Sequence, residues 1–394
     1  MARKKDGLTR REFLATAGVA AVGSTFLPRW LMAEEEAVEA MINAGGMPLT
    51  KLGKTGDKVS ALGFGGGGTV AKAPRLLPSA IRKGVTYIDT AEGYDNGNSE
   101  REIGKYLAAV DTRKDLFIVT KTGDHDPAKL EEHLDGSLER LQTDYVDVLY
   151  LHNLGDPERL DDEMMAAAEA LKKSGKTRLF GFSSHHEQMI PVLNKAAEVG
   201  FVDMFMLKYN FRDYGDAELN AALDKCHAAE IGIVAMKTGA GAVPDFAEFE
   251  QEGLSKQVVS LKATLADPRI SVVVSKMANM EQVTENSAAA KEQKLSRAEY
   301  ELLERYAQAT NHLYCRGCGS VCGPACGGIA VADILRYRMY HDGYGEVAEA
   351  RELYAALPPE RKAIDGADFS AAESACPQGI AIAKALADAD GVLS

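Results

Sequence analysis

Four residues in the first half of this 394-residue chain have the types needed for proton chemistry on a carbonyl group: Asp89, Tyr94, Lys121 and His152. A phenol titrates near pH 10, too high to exchange protons freely at neutrality. An ammonium beside it favours the phenolate and lowers that value, while a carboxylate keeps the ammonium charged and aimed. An imidazole can hydrogen-bond to an oxygen on which negative charge grows. A second reactive set lies far downstream. Cys315, Cys318, Cys322 and Cys326 form a Cys-x2-Cys-x3-Cys-x3-Cys run, and Cys376-Pro377 follows much later. Thiolates so closely spaced and interleaved with glycines can surround a metal centre with little backbone strain. Disulfides and a zinc site are the other uses open to them. Cys226, alone in a helical stretch, reads as an apolar filler.

The elements that must position these groups follow from periodicity. Apolar, β-branched runs fall at 59–66, 85–91, 116–122, 147–153, 176–184, 202–210, 232–240 and 270–277, separated by helical patterns such as 99–108 and 127–141. Continuous apolar strands alternating with helices describe a parallel sheet covered on both faces. Eight such units over roughly 250 residues predict an α/β fold of the (β/α)8 TIM-barrel kind, not an open doubly wound sheet. Chemistry in such a barrel sits at the C-terminal strand ends. Asp89, Lys121 and His152 close the second, third and fourth runs, and Tyr94 lies in the loop after Asp89. The glycines Gly65-Gly66-Gly67-Gly68 follow the first run, but no acidic residue completes a dinucleotide fingerprint, so they read as a turn.

Composition narrows the partners. Lys+Arg total 45 against Asp+Glu 58, a net charge of -13, which argues against a nucleic-acid surface. No run approaches the roughly 20 apolar residues of a membrane span. The N-terminus carries Arg3, Lys4 and Lys5, then Thr9-Arg10-Arg11-Glu12-Phe13-Leu14 and a mildly apolar stretch. This resembles a twin-arginine signal peptide, here residues 1–33, with 34–46 as a linker. The resemblance implies export in the folded state by the cognate machinery, most simply to a bacterial periplasm.

Asp89-Thr90-Ala91-Glu92-Gly93-Tyr94 and Asn98-Ser99-Glu100-Arg101-Glu102-Ile103-Gly104 closely resemble the signature of the aldo-keto reductases. So do Leu52-Gly53-Lys54-Thr55-Gly56, Val59-Ser60-Ala61-Leu62-Gly63, Thr120-Lys121 and Leu151-His152-Asn153. The resemblance runs from about residue 47 to 305, within a barrel expected at residues 47–308. It implies an NAD(P)-dependent oxidoreductase acting on a small carbonyl or alcohol substrate, with Tyr94 as general acid, Lys121 and Asp89 tuning it, and His152 orienting the carbonyl. On the nucleotide side the match implies Ser183, Ser184, Lys237, Gly239, Ser275, Lys276, Glu285 and Asn286 as contacts. Ser184, Met206 and Gln282 depart from the family pattern, which leaves NADP or NAD open.

The cysteine run resembles the bacterial ferredoxin motif, with one extra residue before Cys322 and Gly327 in place of proline. Residues 309–394 are therefore expected to form a small, mostly helical ferredoxin-like iron–sulfur domain. Gly366, Phe369 and Ala372 stand where a second run would hold cysteines. In two-cluster ferredoxins the last cysteine of each run ligates the other cluster. The resemblance thus implies one [4Fe–4S] cluster on Cys315, Cys318, Cys322 and Cys376, with Cys326 as the alternative fourth ligand. Electrons would pass between this cluster, the barrel and a redox partner protein. The competing function is a non-catalytic electron-transfer or binding protein that uses the barrel as a scaffold.

Overall fold

The computed structural model describes residues 41–110, 113–239 and 255–394. The signal at 1–33, most of the linker, and the Ala240-Gly241 end of the Lys237 turn lie outside them. The chain starts with a small antiparallel sheet of β1 (Met41–Ile42), β2 (Pro48–Lys51) and β3 (Lys58–Ser60). Eight strands then close into a barrel: β4 (Leu62–Gly65), β5 (Tyr87–Asp89), β6 (Phe117–Thr122), β7 (Val146–Leu151), β8 (Thr177–Ser184), β9 (Met204–Lys208), β10 (Gly232–Met236) and β11 (Val272–Ser275). All neighbours are parallel and in sequence order, and β11 returns to β4 through Val273 opposite Leu62. This is the expected (β/α)8 arrangement.

The run at 59–66 divides in two. Val59 pairs with Thr50 in the small sheet, and only Leu62–Gly65 enters the barrel. Leu52 and Val59 are buried in the same cluster as the inward-facing Tyr87, Val119, Val148, Met206 and Val234, so the small sheet plugs the N-terminal end of the barrel. The Leu52–Gly56 motif is the turn of this plug. Gly53, at φ +49°, lets Lys54 N–H reach Glu230 O at 2.7 Å, and any Cβ there would collide with that carbonyl.

The outward faces of the strands and the helices around them form the main core, from Leu62 and Ile88 through Leu149 and Phe205 to Val273. Helix Asn98–Ala109 buries Ser99, Ile103 and Leu107, the three-to-four spacing of an amphipathic helix. Its Gly104 lies so close to Arg140 O that no side chain fits between them. Helix Asp162–Ser174 begins with Asp161 accepting from Met164 N–H at 2.8 Å and ends at Gly175, φ +80°.

Beyond helix Arg297–Thr310 the described chain is helical, with elements including Gly319–Cys322, Val331–Tyr344, Val347–Ala356, Ser370–Ala375 and Ile382–Leu393. These bury a second core of their own, among it Ile334, Tyr354, Leu386 and Leu393. Phe369 and Ala372 belong to that core together with Cys326. Tyr314 and Met339 join a third cluster with Val259, Leu302 and Tyr306, which ties the C-terminal helices to the barrel.

Candidate active site

The ends of β5 and β6 bring Asp89 and Lys121 together inside the barrel mouth. Lys121 Nζ donates to Asp89 Oδ1 at 2.7 Å and to Thr90 O at 2.7 Å, and both side chains are buried. Burial of this kind raises the Asp89 carboxyl and lowers the Lys121 ammonium, with each opposing the shift of the other. A buried pair persists only when its geometry is good, because both charges have left water. The helix after Tyr94 braces the pair. Ser99 bonds Thr90 at 2.8 Å, and the fully buried Glu100 accepts from Thr120 Oγ1 and Arg140 Nε, each at 2.5 Å. The Asn98–Gly104 signature is therefore a clamp on the two strands that carry Asp89 and Lys121.

Tyr94 opens a short 3-10 turn in which Asp95, Asn96 and Gly97 all take positive φ. Asp95 Oδ2 accepts from Gly68 N–H at 2.9 Å, which anchors the turn to the glycine run. A Cβ on Gly67 would touch the Tyr94 ring at 3.1 Å, so the glycines form the floor on which the phenol lies. Tyr94 Oη stands 3.5 Å from Lys121 Nζ, whose charge also lies 4.8 Å from the ring centroid. His152 packs edge-on against the same ring at 5.5 Å. The four residues expected to act together do meet at one rim.

One expectation about them is reversed. The Tyr94 phenol is held well above its usual value, first by burial, then by Asp89 and by Tyr340, Glu349 and Glu346 of the C-terminal helices. Lys121 spends its charge on Asp89, so the phenol stays protonated through the neutral range. His152 is pushed the other way, down to about 3, by burial and by Lys121 and Lys237, which leaves the ring neutral.

The residues expected to face a nucleotide divide by what each of them touches. Ser183 Oγ accepts from Asn153 N–H at 3.1 Å and Ser184 Oγ donates to Leu154 O at 2.8 Å, so both pin the loop after His152. Ser275 accepts from Asn286 Nδ2 at 2.9 Å, while Asn286 Oδ1 is buried without a partner among the described residues. Glu285 is exposed, and Gly239 packs beneath Gln257. The two lysines are met by the C-terminal helices. Lys237, at φ +57°, donates to Tyr340 Oη, and Lys276 Nζ holds Glu346 Oε1 at 2.5 Å. No local pattern marks Tyr340 or Glu346 for that role, since they come from 103 and 70 residues downstream.

Cys315, Cys318, Cys322 and Cys376 line one small cavity of about 20 Å³, with Val321, Val331, Leu335, Ile380 and Ile382 as its apolar wall. Cys326 is elsewhere: it is buried, and its Sγ donates to Cys322 O at 3.1 Å. None of the six cysteines is in a disulfide. Among the described residues no three His, Cys, Asp or Glu side chains converge on a point that could hold a single ion. Burial pushes the Cys315 thiol up to about 11 and Cys322 up to about 12. Thiolates there would need a positively charged guest.

Comparison with known proteins agrees with the barrel. The aldo/keto reductase family model matches residues 61–251. L-galactose dehydrogenase of Arabidopsis thaliana is 30% identical over 282 residues, covering 62% of this chain and 88% of that protein. An aldo-keto reductase from Klebsiella pneumoniae, solved in complex with NADPH, is 26% identical with a TM-score of 0.55 over 66% of this chain and 95% of its own. Aldo-keto reductase AKR11C1 from Bacillus halodurans, in its holo form, shares the fold at 24% identity and a TM-score of 0.56, covering 66% of this chain and 96% of its own. The chain belongs to the aldo/keto reductase family. It is an oxidoreductase of the NAD(P)-dependent type that this family comprises. The family match ends at residue 251, well before the segment that carries Cys315 to Cys376.

Proposed function

We propose that this protein is an exported oxidoreductase that interconverts small carbonyl compounds and alcohols, with Tyr94 as its general acid and one [4Fe–4S] cluster in its C-terminal domain. The observation that carries the first part is the buried Asp89–Lys121 pair set against the Tyr94 hydroxyl. A nicotinamide nucleotide, when bound, supplies two electrons and one hydrogen as hydride. The chain supplies the rest. Tyr94, protonated at neutrality, donates the proton to the carbonyl oxygen, and the fixed Lys121 charge stabilises the phenolate left behind. Neutral His152 offers a ring N–H to the same oxygen. Lys276 and the unpartnered Asn286 Oδ1 suit a nucleotide's adenosine half, and NADPH is the nucleotide bound in the Klebsiella relative. Glu346 must leave Lys276 before a phosphate can use it.

The cluster reading is supported by the four thiols that line one apolar cavity and by the exclusion of Cys326 from it. Cys315, Cys318, Cys322 and Cys376 would hold the cluster, which when bound supplies single electrons. Helix Val331–Tyr344 touches both centres: Val331 and Leu335 line the thiol cavity, and Tyr340 meets Lys237 at the barrel rim. Residues 1–33 as a twin-arginine signal and 309–394 as a ferredoxin-like unit complete the proposal. Export of a folded, loaded protein accounts for thiolates that leave the cytoplasm unoxidised. The test is Tyr94→Phe: carbonyl turnover should fall by about 10²–10⁴-fold. Unchanged turnover would leave the barrel as a scaffold. Fractionation of the tagged full chain tests export, and a wholly cytoplasmic protein would refute it.

A further inference from the structure

An open cavity of about 620 Å³ separates the barrel rim from the C-terminal helices. His185, Lys208 and Lys237 wall it on the barrel side, and Arg316, Arg336 and Arg338 on the other. In a chain of net charge -13 this is a marked concentration of cations. Most of them have a carboxylate of their own. Lys208 holds Asp213 at 2.9 Å, Arg338 holds Asp342 at 3.1 Å, and Arg316 and Arg336 hold Asp216 and Asp333. Lys237 forms no ion pair among the described residues. Its ammonium donates to the Tyr340 hydroxyl, Glu346 is engaged by Lys276, and Glu349 stands exposed. Burial first, and then the nearby Arg336, hold the Lys237 ammonium below its usual value, against Glu346 and Glu349, which raise it.

Three buried nitrogens on these same walls lack hydrogen-bond partners among the described residues: His185 Nδ1, Arg316 Nε and Arg336 Nε. Buried polar atoms are seldom left unpaired, so each implies a missing partner. Arg316 Nε still faces Asp213 Oδ1 at 3.8 Å, so the Lys237 ammonium, His185 Nδ1 and Arg336 Nε are the groups left to suit an oxygen-bearing ligand with a single negative charge. The cavity reaches toward the catalytic set through His185, whose backbone N–H donates to Asn153 Oδ1 at 3.2 Å, next to His152, and whose carbonyl accepts from Arg336 Nη1 at 3.0 Å.

We propose that this cavity is the substrate chamber and that its substrates carry one carboxylate, held between Lys237 and Arg336 with the reacting carbonyl toward His152 and Tyr94. The proposal rests on the reading of Tyr94 as the proton donor. Charge-assisted hydrogen bonds are the strong ones, so the carboxylate should matter more than shape.

The test uses the full-length holoprotein and two aldehydes of nearly equal shape, 4-carboxybenzaldehyde and 4-formylbenzamide, with NADPH. The acid should be reduced with kcat/KM at least about tenfold above the amide, one decade of affinity being the expected scale for one such contact. Calorimetry with benzoate and benzamide on the Tyr94→Phe protein gives a readout free of turnover. Benzoate should bind at least about tenfold tighter, and the preference should vanish in Lys237→Met and, separately, in Arg336→Gln. Equal binding of benzoate and benzamide, or a preference that survives both substitutions in folded protein, overturns the anion chamber. Selective benzoate binding without reduction of either aldehyde would instead break the Tyr94 reading and leave the chamber standing.

Discussion

The barrel rim and the C-terminal thiol ring handle buried ionisable groups in opposite ways. At the rim, Lys121 and Asp89 neutralise each other, and Ser99 and Glu100 lock the strands beneath them. That constellation is complete without a guest. In the thiol ring, burial holds Cys315 and Cys322 far up, and no cationic side chain donates to either sulfur among the described residues. A preorganised site loses function when one member is removed; a site that awaits its guest should lose the guest, and with it the stability that binding confers.

Several substitutions would sharpen or break this contrast. The largest effect is expected at the ring. Cys376→Ser should abolish bound iron, whereas Cys326→Ser should leave it unchanged, as read by iron analysis of anaerobically purified protein. The reverse result would make Cys326 the fourth ligand. At the rim, Tyr94→Phe should cut kcat by about 10²–10⁴-fold while iron content stays whole. Asp89→Asn strands the Lys121 charge and should cost about 3–5 kcal/mol in urea unfolding of the barrel, with no loss of iron.

The contact between the two regions gives smaller effects. Glu346→Gln frees Lys276 and should tighten NADPH binding by up to about fivefold in fluorescence titration, since one exposed ion pair is worth about 1 kcal/mol or less. The last effect is in pH. His152 titrates at about 3 in the folded protein and near 6.5 when unfolded, so the unfolded chain binds the extra proton between those values. Stability from this group is therefore full above about pH 6.5 and lost as pH falls toward 3. His152→Gln should flatten the acid limb of stability against pH by up to about one proton.

Much of the barrel was legible because fully buried parallel strands are continuous apolar runs. The runs at 116–122 and 176–184 match Phe117–Thr122 and Thr177–Ser184 to within a residue. The run at 59–66 misled because Val59 is as apolar as its neighbours while serving the bottom plug. The rim residues were legible by type and strand-end position, but the direction of the Tyr94 shift was not. Local reasoning counted Lys121 as a neighbour of the phenol and missed that Asp89 already holds it and that Tyr340, Glu346 and Glu349 arrive from beyond the barrel. The glycines at 65–68 look like any turn in sequence. Only the packed structure shows Gly67 beneath the Tyr94 ring and Gly68 against Lys276 and Glu346. The separation of Cys326 from the other four thiols was visible only through the ferredoxin resemblance, since its spacing alone admits it as readily as Cys376.

The central claim is a reductase barrel joined to a ring of four thiols that holds one cluster. Iron and acid-labile sulfide counted per chain, on full-length protein purified without oxygen, test it most directly. The account predicts about four of each. Zinc in place of iron, no metal at all, or about eight irons per chain would contradict it.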